Sequence, residues 1–189
     1  MRTLIVSEFM SLDGVVDSPG GGSHREAGWT FKQVPYVEAV YEIKGREQTE
    51  AIALLLGRVS YSEFSPVWPT MKEFAEYNAM PKYVVSTTIT ETDPNWSNTS
   101  ILRSLDDVAA LRDSDGDDDG NIIVAGSPTL AKSLLAAGLV DRYHLLIFPL
   151  LLGSGKQLFD NATELTKLAL VEHEAYENGV VKAVYDVVH

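Results

Sequence analysis

Two apolar runs without alternation constrain this chain most: Ala51 to Leu56 and Asn121 to Ala125. A strand with one wet face alternates apolar and polar residues. A continuous run reads instead as a strand buried on both faces, which belongs in a parallel sheet covered by helices. Thr3 to Phe9, Lys82 to Ser86 and Val140 to Pro149 add further strands, the last with His144 in alternation. Helical patterns lie between them. Gln33 to Gln48 sets Val37, Val40 and Tyr41 on one stripe, and Ser60 to Phe64 starts a short helix stopped by Pro66. Asp106 to Arg112 has Ser104 as N-cap and Asp107 in a capping-box position. Gly126-Ser127-Pro128 opens a helix to Ala137, with Gly138 as its C-cap. Strand and helix in alternation predict an α/β fold, with a mostly parallel central sheet and helices on both faces. Leu168 to Tyr176 and Val180 to Val188 flank Glu177-Asn178-Gly179 and predict a C-terminal antiparallel hairpin.

At 189 residues, with 45% hydrophobic residues, the chain fits one domain with a substantial core, residues 1–189. Net charge is −12, which argues against nucleic acid as a partner. There are no cysteines, so disulfides, thiolate catalysis and cysteine zinc sites are excluded. The opening residues lack the apolar core of a signal peptide. No apolar run approaches the roughly 18 residues of a membrane span, and cytoplasm is the default compartment.

Three strand ends share a design of apolar run, small polar residues, then a turn or helix. They are Leu56-Gly57-Arg58-Val59-Ser60, Val85-Ser86-Thr87-Thr88 and Ala125-Gly126-Ser127-Pro128-Thr129. In open α/β sheets, ligands lie at the carboxyl ends of the strands. Backbone N–H groups, hydroxyls and the planar fork of Arg58 suit a phosphate. Each alone is an ordinary strand-to-helix turn; the three together predict an anion site. Asp13, in Ser11-Leu12-Asp13-Gly14, is either a cleft carboxylate or a turn residue. Ser11 to Thr30 is a long Gly, Ser and Asp loop, and loops of that length are often functional.

Other motifs carry less. Gly153-Ser154-Gly155-Lys156 lacks both the earlier glycine and the following Ser or Thr of a phosphate loop. Asp113 to Gly120 matches half of a calcium loop but ends without its glutamate, and reads as a solvated acidic loop. His24, His144, His173 and His189 show no metal-ligand spacing, so no metal is expected. His144 reads as structural, His24 as a surface residue, and Trp68 as core packing.

The order of these segments resembles the dihydrofolate-reductase superfold. Within it, the chain is most similar to the branch holding the reductase domain of bacterial riboflavin biosynthesis. The resemblance rests on Met10 to Gly14, Gly57 to Phe64, Tyr83 to Thr87, Val124 to Ser127 and Leu151 to Phe159. It implies a three-layer dihydrofolate reductase-like fold and NADPH as hydride donor. Gly57, Arg58, Val59 and Ser60 would then meet the cofactor, with Arg58 and Ser60 at its phosphates. Ser86 and Thr87 would lie near the adenosine 2′-phosphate. Gly126 and Ser127 would let the backbone approach the pyrophosphate, with Thr129 and Leu130 alongside. On the catalytic side, Asp13 matches a substrate position of the riboflavin-type branch. Glu38 is the candidate for the acid that dihydrofolate reductases carry early in the helix after the long loop. Gly14 to Thr30 would be a lid. The implied function is an NADPH-dependent reduction of a small heterocyclic substrate, pterin- or pyrimidine-like. The alternative is a homodimer that binds a dinucleotide or pterin without turnover. A homodimer formed through the fifth strand and terminal hairpin is expected in either case.

Overall fold

The computed structural model describes residues 1–114, 120–160 and 163–188. Its strands are β1 (Thr3–Ser11), β2 (Ala51–Gly57), β3 (Lys82–Val85), β4 (Thr99–Leu102), β5 (Asn121–Ala125), β6 (Arg142–Phe148), β7 (Lys167–Ala175) and β8 (Val181–Val188). They form an eight-stranded sheet in the order β4-β3-β2-β5-β1-β6-β8-β7. The first six run parallel, so their carboxyl ends share one edge. β8 runs antiparallel to β6, and β7 antiparallel to β8. The expected α/β sheet with its terminal hairpin is present.

Six helices connect the strands: α1 (Trp29–Lys32), α2 (Glu38–Glu50), α3 (Arg58–Phe64), α4 (Ala75–Ala79), α5 (Leu105–Asp113) and α6 (Pro128–Ala136). The apolar runs are buried on both sides. Leu4, Val6, Ala53, Leu55, Ile122 and Val124 pack on one face against Val108 of α5 and Leu130 and Leu134 of α6. Ile5, Leu54, Leu56 and Ile123 pack on the other against Tyr61, Tyr77 and Trp96. Val40 and Ile43 of α2 cover β6 and β8 on that same side, through Leu146, Phe148 and Val184. The capping box forms as expected, with Ser104 accepting from Asp107 N–H and the Asp107 carboxylate accepting from Ser104 N–H.

Several expectations need correction. The helix foreseen over Gln33 to Gln48 begins at Glu38, because Pro35 disfavours helical geometry at Val34 and Val37 is extended. β4 and α4 have no counterpart in the sequence reading. Both are short, and α4 buries only Tyr77. The fifth strand of the sequence reading is β6, which pairs with β1 on one side and β8 on the other. The outer strands of the sheet are β4 and β7. Of the acidic run read as a solvated loop, residues 115–119 lie outside the described residues.

Lys82 illustrates how a charge is accommodated inside. It is 0% exposed, yet its ammonium donates to the carbonyls of Asn78 at 2.8 Å and Met80 at 2.9 Å. It thereby caps the end of α4, where carbonyls lack helical partners.

Candidate functional site

The strand ends singled out in the sequence lie along one edge of the sheet. Ser127 locks two of them together. Its hydroxyl accepts from Gly57 N–H at 2.9 Å and lies 2.6 Å from Ser60 Oγ. Gly57 is required for this approach, since a Cβ there would sit 2.4 Å from Ser127 Oγ. Gly126 and Ser127 both take left-handed backbone, at φ 66° and 65°, a conformation that costs a serine energy. The chain then enters α6, whose first N–H groups, including those of Thr129 and Leu130, have no acceptor within the helix. The hydroxyls of Ser60 and Ser127 are buried and spent on one another. They shape this edge rather than project from it. Arg58 is exposed beside Val59, with no ion pair among the described residues.

Further along the edge, Ser86 Oγ accepts from the N–H groups of Thr88 and Ile89 and folds the loop after β3. Thr87 is exposed at its tip. Here the structure adds a cation that the sequence reading missed. Arg103, just past β4, donates from Nη1 to Ser86 O at 2.8 Å and to Ile89 O at 2.6 Å. Its signal in the sequence was only that it follows Ile101-Leu102, too short a run to read as a strand. Arg103, Ser86 with Thr87, Arg58 and Gly126 with Ser127 thus follow β4, β3, β2 and β5 in the order of the sheet.

On the far side of β5, the loops after β1 and β6 are stitched together. Leu12 N–H donates to Leu150 O, Val16 N–H to Lys156 O, and Leu158 N–H to Gly14 O. Asp13 is the anchor. Its Oδ1 accepts from Ser11 Oγ at 2.6 Å and Leu152 N–H at 3.1 Å, and its Oδ2 from Gly153 N–H at 2.7 Å. Burial raises this carboxyl, but the bonds from Ser11, Gly153 and Leu152 outweigh it and hold it below its ordinary value. A carboxylate so held stays ionised and is a poor proton donor at neutral pH. The foreseen lid is also shortened. Val15 and Val16 are buried, and Trp29 Nε1 donates to Asp17 O at 2.9 Å. His24 is tethered, with Nε2 3.0 Å from Ser154 O.

Beside this clip, aromatic rings from β1, α1, α2 and the segment before α2 gather in one cluster. Tyr41 stacks on Tyr36 at 5.2 Å and on Phe31 at 6.1 Å, and meets Phe9 at 6.0 Å. Phe31 and Tyr36 are 59% and 67% exposed. Glu38 sits exposed in the first turn of α2. Deeper lies a polar cluster that the sequence did not signal. Glu47 Oε1 accepts from Ser7 Oγ at 2.7 Å and His144 Nδ1 at 2.8 Å. Lys44 Nζ donates to Ser7 Oγ and lies 3.4 Å from Glu47 Oε2. Burial raises Glu47, but the Lys44 charge, His144 and Ser7 together bring it below its ordinary value. On the other face of β1, Glu8 is 3% exposed and its Oε1 has no hydrogen-bond partner. Burial pushes its carboxyl up to about 8, against a smaller opposing pull from Lys44.

Comparison with known proteins accords with this layout. Residues 2–182 match the family model of the RibD C-terminal domain, and the chain belongs to that family. It is 28% identical to the uncharacterised protein YyaP of Bacillus subtilis (strain 168), over 97% of this chain and 94% of YyaP. Among solved structures, a putative riboflavin biosynthesis protein from Shewanella sp. PV-4 superposes with a TM-score of 0.77 at 20% identity, over 100% of both chains. Dihydrofolate reductase from Enterococcus faecalis, complexed with NADP(H), gives a TM-score of 0.63 at 12% identity, over 99% of this chain and 97% of that one. A pyrimidine reductase-like protein from Corynebacterium diphtheriae gives a TM-score of 0.63 at 13% identity, over 100% and 92% of the two chains. These neighbours share the fold.

Two predictions follow from the geometry. Gly57→Ala should cost about 1–3 kcal/mol by overpacking against Ser127. Combined with Ser127→Gly, which removes the clashing atoms, the loss should fall short of the sum of the two single losses; urea titration of all three variants measures this. Strict additivity would refute the contact. The second concerns Glu8. Between pH 4.5, its ordinary value, and about 8, the folded chain holds a proton that the unfolded chain releases. Stability should therefore fall as pH rises through that window, by at most about 1.4 kcal/mol per pH unit from this group. Glu8→Gln should remove that part of the slope, measured by urea unfolding at pH 5, 6.5 and 8; an unchanged slope would contradict it.

Proposed function

We propose that this member of the RibD C-terminal domain family binds NADPH along the carboxyl edge of its sheet and uses it to reduce a small planar heterocycle, pterin- or pyrimidine-like. One observation carries the reading: Arg103, Ser86 with Thr87, Arg58 and Gly126 with Ser127 stand in sequence along that edge. Adjacent strands lie about 4.8 Å apart, so β4 to β5 spans roughly 14 Å of anion-friendly backbone. The family membership and the NADP(H) complex of the Enterococcus faecalis neighbour support it.

In this arrangement Arg103 and Thr87 hold the adenosine 2′-phosphate, with Ser86 shaping the loop between them. Arg58 and the open N–H groups of Thr129 and Leu130 hold the pyrophosphate. Gly57, Gly126, Ser60 and Ser127 let the backbone come close, and Val59 forms the exposed shoulder beside Arg58. NADPH supplies the hydride. The nicotinamide end then points past β5 toward β1 and the aromatic cluster. Phe31, Tyr36 and Tyr41 offer stacking faces to a planar ring, and such contacts contribute about 0.5–1.5 kcal/mol beyond burial. Glu38 stands at the rim for a polar group of the substrate. For Asp13 we propose loop anchoring in place of proton transfer. That engaged carboxylate also supports a second reading, a dinucleotide-binding protein without turnover.

Arg58→Ala should weaken NADPH and NADH alike, by about tenfold or more, since a charge-assisted hydrogen bond contributes about 1.5–3 kcal/mol. Arg103→Ala should weaken NADPH and leave NADH nearly unchanged. Titration of nicotinamide fluorescence reads both, and unchanged NADPH affinity in both variants would sink the cofactor assignment. Loss of 340 nm absorbance with a pterin or pyrimidine panel separates the reductase from the binder, which oxidises nothing.

We also propose a homodimer in which β7 supplies the contact. Its edge is open, and Leu168, Leu170 and Val171 are exposed on it. Light scattering should give twice the chain mass, and Leu170→Lys should shift it toward one; a wild-type monomer would dismiss the proposal.

A further inference from the structure

We infer that Lys44 is the proton donor of the reduction, held in place by Ser7, Glu47 and His144. The inference rests on the reductase reading and names the group that reading lacks, an acid facing the substrate.

The geometry is specific. Ser7 is paired in register with Ala125, the residue before Gly126, and with His144 on the other side. Ser7, to which Lys44 donates, is therefore about one strand spacing from the residue that precedes the Gly126-Ser127 turn. Its Nζ lies 4.8 Å from the Phe9 ring centroid, and Phe9 in turn contacts Tyr41. The aromatic cluster thus has an ammonium against one of its rings. Ser7, Glu47 and His144 are sealed at 6%, 2% and 5% exposure. The Lys44 side chain retains 20% exposure. Lys44 is thus the member of the cluster that solvent and substrate can reach. Two of its three N–H groups are directed to Ser7 Oγ and Glu47 Oε2, and the third has no acceptor among the described residues.

The surrounding charges keep the ammonium in place. Glu47 faces it from α2 and Glu8 acts on it from β1. His144 of β6 and Tyr77 of α4 reach it only through Glu47. Tyr41 flanks it on α2, its hydroxyl raised above the ordinary value by burial and by Tyr36.

Reduction of a ring C=N bond by a nicotinamide hydride forms a C–H bond and leaves an electron pair on nitrogen. That nitrogen takes a proton from Lys44 Nζ, breaking one N–H bond of the ammonium. The resulting amine regains a proton from solvent. An aromatic shelf above a cation fits a planar heterocycle with a ring carbonyl beside an ionisable N–H, which the same ammonium would stabilise as its anion.

Lumazine (pteridine-2,4-dione) is a probe of that chemistry that needs no turnover. Its absorption should be titrated from pH 5 to 10 with wild type, Lys44→Met and Lys44→Arg, and NADP+ affinity should be measured on each. The wild type should bind lumazine and lower its apparent pKa by about one unit or more, as a cation within a few ångströms does. Lys44→Met should abolish the shift and Lys44→Arg keep it, with NADP+ affinity unchanged within about twofold. Lys44→Gln replaces the Met variant if that variant fails to fold. If wild type binds NADP+ but gives no lumazine shift, or if the neutral variants shift it equally, the Lys44 assignment is overturned. If the shift depends on Lys44 but NADP+ does not bind, the Lys44 site stands and the cofactor reading falls. With any substrate that the wild type turns over, Lys44→Arg should lower kcat at least about tenfold at neutral pH, because a guanidinium does not release its proton; an unchanged kcat would rule out proton donation.

Discussion

A single hydroxyl organises the carboxyl edge of the sheet. β2 and β5 are neighbours in the sheet, so the turns that leave them must pass without collision. Ser127 Oγ resolves this by bonding Gly57 N–H and Ser60 Oγ at once. The arrangement holds a serine in left-handed backbone, which costs on the order of 1–2 kcal/mol. Buried hydrogen bonds, at about 0.5–1.5 kcal/mol each, offset that strain. The same turn sets where α6 begins, and Leu130 and Leu134 of that helix enter the core. Core packing and the approach of backbone to a ligand therefore depend on one contact.

The sheet order then divides the edge into two unlike halves. From β4 to β5 it offers arginines, small turns and open N–H groups. Beyond β1 it offers rings above a buried charge cluster. The boundary falls between β5 and β1, where the chain has returned from its outward path through β2, β3 and β4. Reversal of strand order is where open α/β sheets form their crevices. Asp13 explains why the second half keeps its shape: by binding the backbone of Leu152 and Gly153, it ties the loop after β1 to the loop after β6. The Asp13 carboxylate therefore holds two loops in one arrangement.

The fold was legible because its main signals are local. Continuous apolar runs identified β2 and β5, the Asn-Gly turn identified the hairpin, and Ser104 with Asp107 identified the start of α5. The turns along the carboxyl edge were legible for the same reason, as their residues directly follow their strands. What escaped notice depends on distant partners. Lys44, Ser7, Glu47 and His144 are scattered over 137 positions between Ser7 and His144, and none stands in a motif. Ser7 and Glu47 each look like ordinary surface residues until β1, β6 and α2 bring them together. Arg103 was missed because β4 is four residues long and carries no pattern of its own. Glu38 was placed by analogy on a helix whose true start Pro35 delays.

The acidic balance of the chain sharpens the meaning of its exposed cations. With 15 basic against 27 acidic side chains, most anions approaching at long range meet repulsion. Many of the basic residues are neutralised locally. Arg46 pairs with Glu172, Arg112 with Asp141, Lys132 with Asp160 and Arg142 with Asp186. The Arg103 guanidinium, by contrast, bonds carbonyls alone, and carbonyls orient it without cancelling its charge. Arg58 likewise forms no ion pair among the described residues. Screening shortens the repulsive field to about 8 Å at physiological ionic strength, whereas direct contacts survive it. A phosphate that reaches this edge thus meets two uncancelled guanidinium groups inside a field that discourages anions elsewhere. On the proposed reading, a phosphorylated ligand is favoured at this edge because arginine, glycine turn and open N–H groups coincide there.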